Sequence, residues 1–276
     1  MKKIFPNEFS FQVFSLLVAF IVVHAVYITL IRPEANEFIA QERAQMQIDP
    51  EYIQQRSLYV VVKDFEQEAC FILMLWALAI LAYKGVDNYE QRKNLDQDFI
   101  GSPERNVFSH EELEVIVERL KNIPVHLKEN ILPRLLSSVA ERFTSTHDIQ
   151  SASVESHHLC EEESERLESE LSIIRYIAWA IPSIGFIGTV RGIGNALAQA
   201  HQAIDGDITG VTESLGVAFN STFIALVISI FLMFIIHQIQ LMQERLVLGS
   251  KRYCAKWLIG RLPGNRAITE PAHEAQ

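Results

Sequence analysis

The sequence predicts an all-helical membrane protein with four crossings, the last two continuing into the cytoplasm beside further helices. Three observations predict it. Apolar residues make up 49% of the 276-residue chain, yet 21% are charged, and the two kinds are segregated along the sequence. Apolar blocks cover Phe11 to Ile31, Ala69 to Tyr83, Ile173 to Ala200 and Leu215 to Ile236, against the roughly 20 residues a helix needs to span a bilayer. The basic residues collect where such blocks end: Lys84, Arg92 and Lys93 follow the second, and Arg245, Lys251, Arg252, Lys256, Arg261 and Arg266 follow the fourth. The stretch from Gln199 to Glu213 has no Lys or Arg at all.

Because basic flanks stay on the cytoplasmic side, the expected order is a cytoplasmic N-terminus over 1–10, a first span at 11–31, and an outer, periplasmic loop over 32–68. A second span at 69–84, the shortest, leads to a cytoplasmic helical region over 85–172. A third span follows at 173–200, a periplasmic loop at 201–213, a fourth span at 214–238 and a cytoplasmic helical tail at 239–276. The first block has only Lys2 and Lys3 as basic residues before it and leads to no small-residue cleavage pattern, so it reads as an anchor rather than a removed signal. Cys70, Cys160 and Cys254 lie in separate regions without C-x-x-C spacing, which implies no disulfide framework. The net charge of −10 argues against nucleic-acid binding.

Between the second and third spans the pattern is helical rather than that of a separate globular domain. HEELEVIVERLKNI aligns Leu113, Ile116, Val117 and Leu120, Pro124 interrupts, and Leu127, Ile131, Leu135 and Val139 resume the period. THDIQSAS, from Thr146 to Ser153, reads as a turn. From Ser153 a stripe of Leu159, Leu167, Leu171 and Ile174 runs without Gly or Pro into the third block, predicting one long helix. The fourth helix is expected to run past Ile236 until Pro263 and Gly264 stop it.

Functional chemistry is expected where polar atoms enter lipid depth, because they are costly there and face a bundle interior or water. PSIGFIGTVRGIGNALAQA, Pro182 to Ala200, carries Gly185, Gly188, Gly192 and Gly194, and its repeat of Gly188, Gly192, Ala196 and Ala200 makes a small-xxx-small ridge for close packing. Thr189 lies beside that ridge. On the fourth helix Ser214, Ala218, Thr222, Ala225 and Ser229 recur at helical steps, with Asn220 and Ser221 adjoining, so the two threonines are expected to face a common interior. The plainer alternative is that each hydroxyl bonds a carbonyl one turn back on its own helix while the small residues only pack.

Other candidates are Asp205, Asp207 and Glu213, acids in the loop without basic residues, as a periplasmic cation entrance or as solvated loop acids. His24 is a proton relay or an interhelical hydrogen bond, and Arg191 is expected to face the bundle, pair with an acid or snorkel outward. His157 and Cys160 share a helix face, two ligands where zinc takes about four. No nucleophile, base and orienter group together and no phosphate loop is present, so an enzyme is not expected, nor any cofactor beyond a transported ion.

IPSIGFIGTVRGIGNAL, ending at Leu197, is similar to the second membrane helix of ExbB and TolQ proteins, and LGVAFNSTFIALV resembles the last helix of MotA and ExbB. The chain resembles the MotA/TolQ/ExbB family, which the order of loops and spans supports. The resemblance implies an inner-membrane, stator-type subunit of a homopentameric ring around a dimer of a single-span partner like ExbD, TolR or MotB, with proton or sodium flow driving rotation. Thr189 matches the threonine of the ExbB motif and Thr222 the last-helix threonine, while Glu213 stands about one turn further from Thr222 than the carboxylate of the ExbB final helix. The pattern implies Pro182, Gly185, Gly188, Gly192, Ala196, Ala218 and Ala225 as packing positions. No Asp or Glu falls in the middle of any block, so an acidic proton carrier is expected from the partner's helix. The contrasting class is a structural scaffold that passes no ions.

Overall fold

Helices form wherever the apolar period persisted, and among the described residues they are the only regular element. A computed structural model of the chain describes residues 5–48, 57–101, 107–204 and 206–264. The helices are α1 Phe5–Val26, α2 Arg32–Ile48, α3 Leu58–Val62, α4 Phe65–Lys93, α5 His110–Lys121, α6 Val125–Lys128, α7 Ile131–Thr146, α8 Ile149–Glu170, α9 Ser172–Ala198, α10 Ala200–Ile204 and α11 Thr209–Trp257. A π turn, Tyr27–Ile31, joins α1 to α2. Four helical stretches are long and apolar enough to cross a membrane.

Two compact units result. The first contains residues up to Tyr83 together with Ser172–His237. In it α1 and α4 run antiparallel: Phe11 stacks on Tyr83 at 4.9 Å, Trp76 Nε1 donates to the Gln12 carbonyl at 2.9 Å, and Tyr27 meets Phe71 at 6.5 Å. The Cys70 thiol donates to the Ile181 carbonyl at 3.7 Å, which ties α4 to α9. Large apolar side chains, among them Phe14, Trp179, Phe186, Phe223 and Phe234, stand exposed around this unit. A monomer in water does not sustain such a surface, whereas lipid or neighbouring subunits accept it.

The second unit contains Lys84–Leu171 and the chain from Gln238 on. Here the expectation of helices without a globular core is revised. Leu113, Ile116, Leu120, Leu136, Val139 and Phe143 lie buried with Leu246 and Leu258 of the C-terminal segment in one apolar cluster. The stripe on 110–123 is the buried face of α5, and Ser109 with Glu112 forms a capping box at its start. Two turn expectations shift. Helical order breaks again after α6 before resuming at Ile131, and the turn at THDIQSAS narrows to His147 and Asp148. His147 adopts a left-handed φ of 49°, and the Asp148 carboxylate accepts from the Gln150 and Ser151 amides at 3.2 and 2.8 Å. Two bonded amides at the head of α8 suffice to start the helix there.

The spans also differ in extent from the hydropathy blocks. The segment 32–68, read as a loop, is helical over α2 and α3, and the second apolar helix starts at Phe65 rather than 69. The predicted long helix runs over Ile149–Ala198, with a one-residue turn at Leu171 between α8 and α9.

Candidate functional site: a hydroxyl pair at a close helix crossing

The antiparallel contact between α9 and α11 is built on residues that lack side-chain bulk. A Cβ added at Gly185 would fall 2.5 Å from the Ala225 Cβ, one at Gly188 2.5 Å from the Ser221 Cβ, and one at Gly192 2.7 Å from the Ser214 carbonyl oxygen. Real Cβ atoms do not approach so closely, so these three glycines set the interhelical distance. Gly194 meets nothing within 4 Å and belongs to another face. Ala196, Ala218 and Ala225 are buried in the same contact, whereas Ala200 is exposed beyond the end of α9 and drops out of the predicted ridge. Pro182 is accommodated inside α9.

Close approach brings the two threonines together. Thr189 Oγ1 donates to the Ala218 carbonyl at 3.1 Å, and Thr222 Oγ1 donates to the Gly185 carbonyl at 3.1 Å. Each hydroxyl thus bonds the backbone of the opposite helix, one turn before the other threonine, and the two oxygens contact each other directly. The one-turn-back bond on its own helix is also within range for Thr189, at 3.3 Å to Gly185. Both readings of the sequence therefore have a geometric counterpart, and the interhelical one is shorter. Ser229 repeats the theme, donating to the Ala178 carbonyl at 3.1 Å. Ser221 is buried and donates to Val217 on its own helix at 2.8 Å. Asn220 is half-buried, and the bonds at the threonine pair come from Gly185 and Ala218 instead.

The acids predicted at the entrance have other partners. Glu213 forms a forked pair with Arg43 of α2, at 2.8 and 3.0 Å. Asp207 accepts from the Thr209 amide at 3.0 Å at the head of α11, and that bond holds its carboxyl below the usual carboxylate range. Asp205 lies outside the described residues. His157 and His158 pair with Glu161 and Glu162 on an exposed face, while Cys160 is buried.

The polar first turn of α4 escaped the hydropathy reading. Glu66 accepts from Arg191 at 2.8 Å and packs over Gly188, so Arg191 takes the acid-paired option. Gln67 Nε2 donates to Ser221 Oγ at 3.4 Å. Glu68 is buried and accepts from His24 and Arg32. Burial pushes the Asp64 carboxyl, just before the helix, above its ordinary value. The block boundary at 69 hid these groups because charge ends a hydropathy window.

Four apolar helices, a glycine-set crossing and hydroxyls turned into it define a multi-pass helical membrane protein. Residues 127–250, the segment that holds α9 and most of α11, match the model of the MotA/TolQ/ExbB proton channel family. No curated protein and no solved structure matches the chain.

Proposed function

We propose that this chain is the ion-conducting subunit of a stator-like motor in a bacterial inner membrane. It couples a proton or sodium gradient to mechanical work through a single-span partner. The family's channel character and its work with partner proteins in membrane complexes support this reading. The observation that carries it is the reciprocal Thr189 and Thr222 pair, whose hydroxyls sit half-buried at a crossing where Gly185, Gly188 and Gly192 leave no room for a Cβ. Hydroxyls so placed order water or coordinate a hard cation.

In the proposed assembly five copies surround a partner dimer whose membrane helix supplies the acid, with both termini of this chain in the cytoplasm. Lys84 and Lys256 then mark the inner side, and the Arg43 and Glu213 pair the outer side. The scaffold reading keeps one support: the same hydroxyls satisfy backbone carbonyls, which packing alone explains. Thr222→Val separates the two, since it keeps the shape and removes the donor. In vesicles holding the complex isolated through a tag on this chain, gradient-driven ion flux is expected to fall at least about tenfold, the loss of about 1.4 kcal/mol at a barrier. Unchanged flux with normal assembly leaves only the scaffold.

A further inference from the structure

Unit 1 holds a second polar constellation that the hydroxyl pair does not use. Its centre is Glu68, a carboxylate only 7% exposed in the first turn of α4. One oxygen accepts from His24 Nδ1 at 2.6 Å and the other from Arg32 at 2.5 Å. The His24 side chain is 41% exposed, so the imidazole joins an accessible surface to a buried acid. Arg32 alone suffices to neutralise Glu68, which leaves the histidine without an electrostatic reason to be there.

Two independent features surround this group. The helix carrying His24 switches to a π turn over Tyr27–Ile31, between His24 and Arg32. Single π turns are rare and recur at functional sites, because the extra residue re-aims the side chains around it. In addition, the Tyr27 hydroxyl and Gln67 Oε1 have no hydrogen-bond partner although their residues are 1% and 0% exposed. Buried polar atoms are almost always satisfied, so each of these two orphans marks a place for ordered water. Glu68, Asp64 and Arg32 act electrostatically on the Tyr27 hydroxyl, and the other end of the Gln67 amide bonds Ser221, the residue before Thr222.

Resting on the conducting reading above, we infer that His24 and Glu68 form a proton-handling station of this chain's own, feeding the Thr189 and Thr222 pair through water held by Tyr27 and Gln67. The ion carried is then the proton, since an imidazole that donates to a carboxylate relays protons and offers sodium nothing. A proton binds the free Nε2, and Nδ1 passes its own proton to Glu68 Oε1. That leaves a neutral ring protonated at Nε2 and a carboxylic acid. The acid gives the proton to the adjoining water and returns to carboxylate, and rotation of the side chain carries the Nε2–H to the carboxylate, so that the next proton enters at Nδ1 and the two nitrogens alternate; at each step one proton enters and one leaves. The charged and titratable groups around the station are Tyr27 from the π turn, Arg32 from the start of α2, Lys63, Asp64, Glu66 and Cys70 around the head of α4, and Arg191 from α9. Arg32 is the fixed counter-charge of Glu68, and Arg191 is engaged by Glu66.

The test uses the native complex isolated through this chain, in vesicles with a trapped pH dye, over an outer pH of about 5 to 8, where histidine titrates. Glu68→Gln is expected to lower proton flux about tenfold or more, and His24→Gln to flatten its dependence on outer pH, with native mass unchanged. If Thr222→Val suppresses flux while both station variants keep the wild-type rate and pH profile, the station is overturned and the conducting reading stands. If Thr222→Val also changes nothing, the conducting reading falls and the station with it. Should Glu68→Gln fail to assemble, the wild-type complex carrying 15N-histidine decides: a His24 tautomer that changes across this pH range supports the relay, and an invariant Nδ1–H ring overturns it.

Discussion

Each of the two units buries a carboxylate between two nitrogen-bearing side chains, and they do so with different chemistry. In unit 2, Glu163 is 1% exposed between Arg134 and Arg166, two permanently charged groups. In unit 1, Glu68 is held by one arginine and one histidine. The first arrangement, a carboxylate held by two guanidiniums, acts as a clamp between α7 and α8; the second sets an imidazole, with its two distinct ring nitrogens, against the acid. Packing follows the same division. Unit 2 fills its core with Leu, Ile and Phe, as a water-exposed bundle must, because burial of apolar area drives it. Unit 1 brings α9 against α11 through Gly, Ala and Ser, because in lipid apolar burial gains nothing and close backbone contact must serve instead.

The largest expected effect sharpens the contrast between the carboxylates. Glu163→Gln leaves two arginines facing a lost charge, and breaking a buried pair costs about 3–5 kcal/mol. Both arginines remain about 40% exposed, so the lower end is expected, as a loss of thermal stability in detergent that does not vary between about pH 5 and 8. A pH-dependent loss there would erase the distinction from Glu68. The contrast in packing is tested next. Gly188→Ala forces its new methyl against Ser221 and is expected to destabilise the detergent-solubilised chain by about 1–3 kcal/mol, whereas Gly194→Ala, in open space, leaves it unchanged or raises it by less than about 1 kcal/mol. Equal effects would mean that α9 and α11 do not approach as described.

The smallest effect concerns the turn into α8. Hydrogen bonds from the Ser151 hydroxyl and amide hold the Asp148 carboxyl below its ordinary value of 3.8. A lowered folded value means that its contribution is complete above the unfolded value and is lost as pH falls through the folded one. Asp148→Asn is therefore expected to speed amide exchange at the first turn of α8 near neutral pH, with the difference from wild type beginning to shrink only once pH falls below about 4. A difference that persists in acid would show that the cap does not depend on the carboxylate.

Much of the α9 and α11 site was legible, since Gly185, Gly188, Gly192, Ala218 and Ala225 repeat at helical steps and Thr189 and Thr222 fall beside them. A helix has one geometry, so spacing alone says which residues share a face. Ala200 was misjudged because the ridge was extended past the point where α9 ends. The head of α4 was misread for another reason: Glu66 and Glu68 look like the end of a span until Arg191, Arg32 and His24, between 36 and 125 residues away in the chain, are brought to them.

The helices, their apolar stripes and the small-residue faces could be read along the chain, because these depend on spacing within one segment. Folding in three dimensions was needed to make the threonines clasp the opposite helix, to pair Glu213 with Arg43, and to set the acids at the start of α4 beside basic groups from other helices. Such pairings join residues far apart along the chain, and no local period records which distant charge will neutralise a given one.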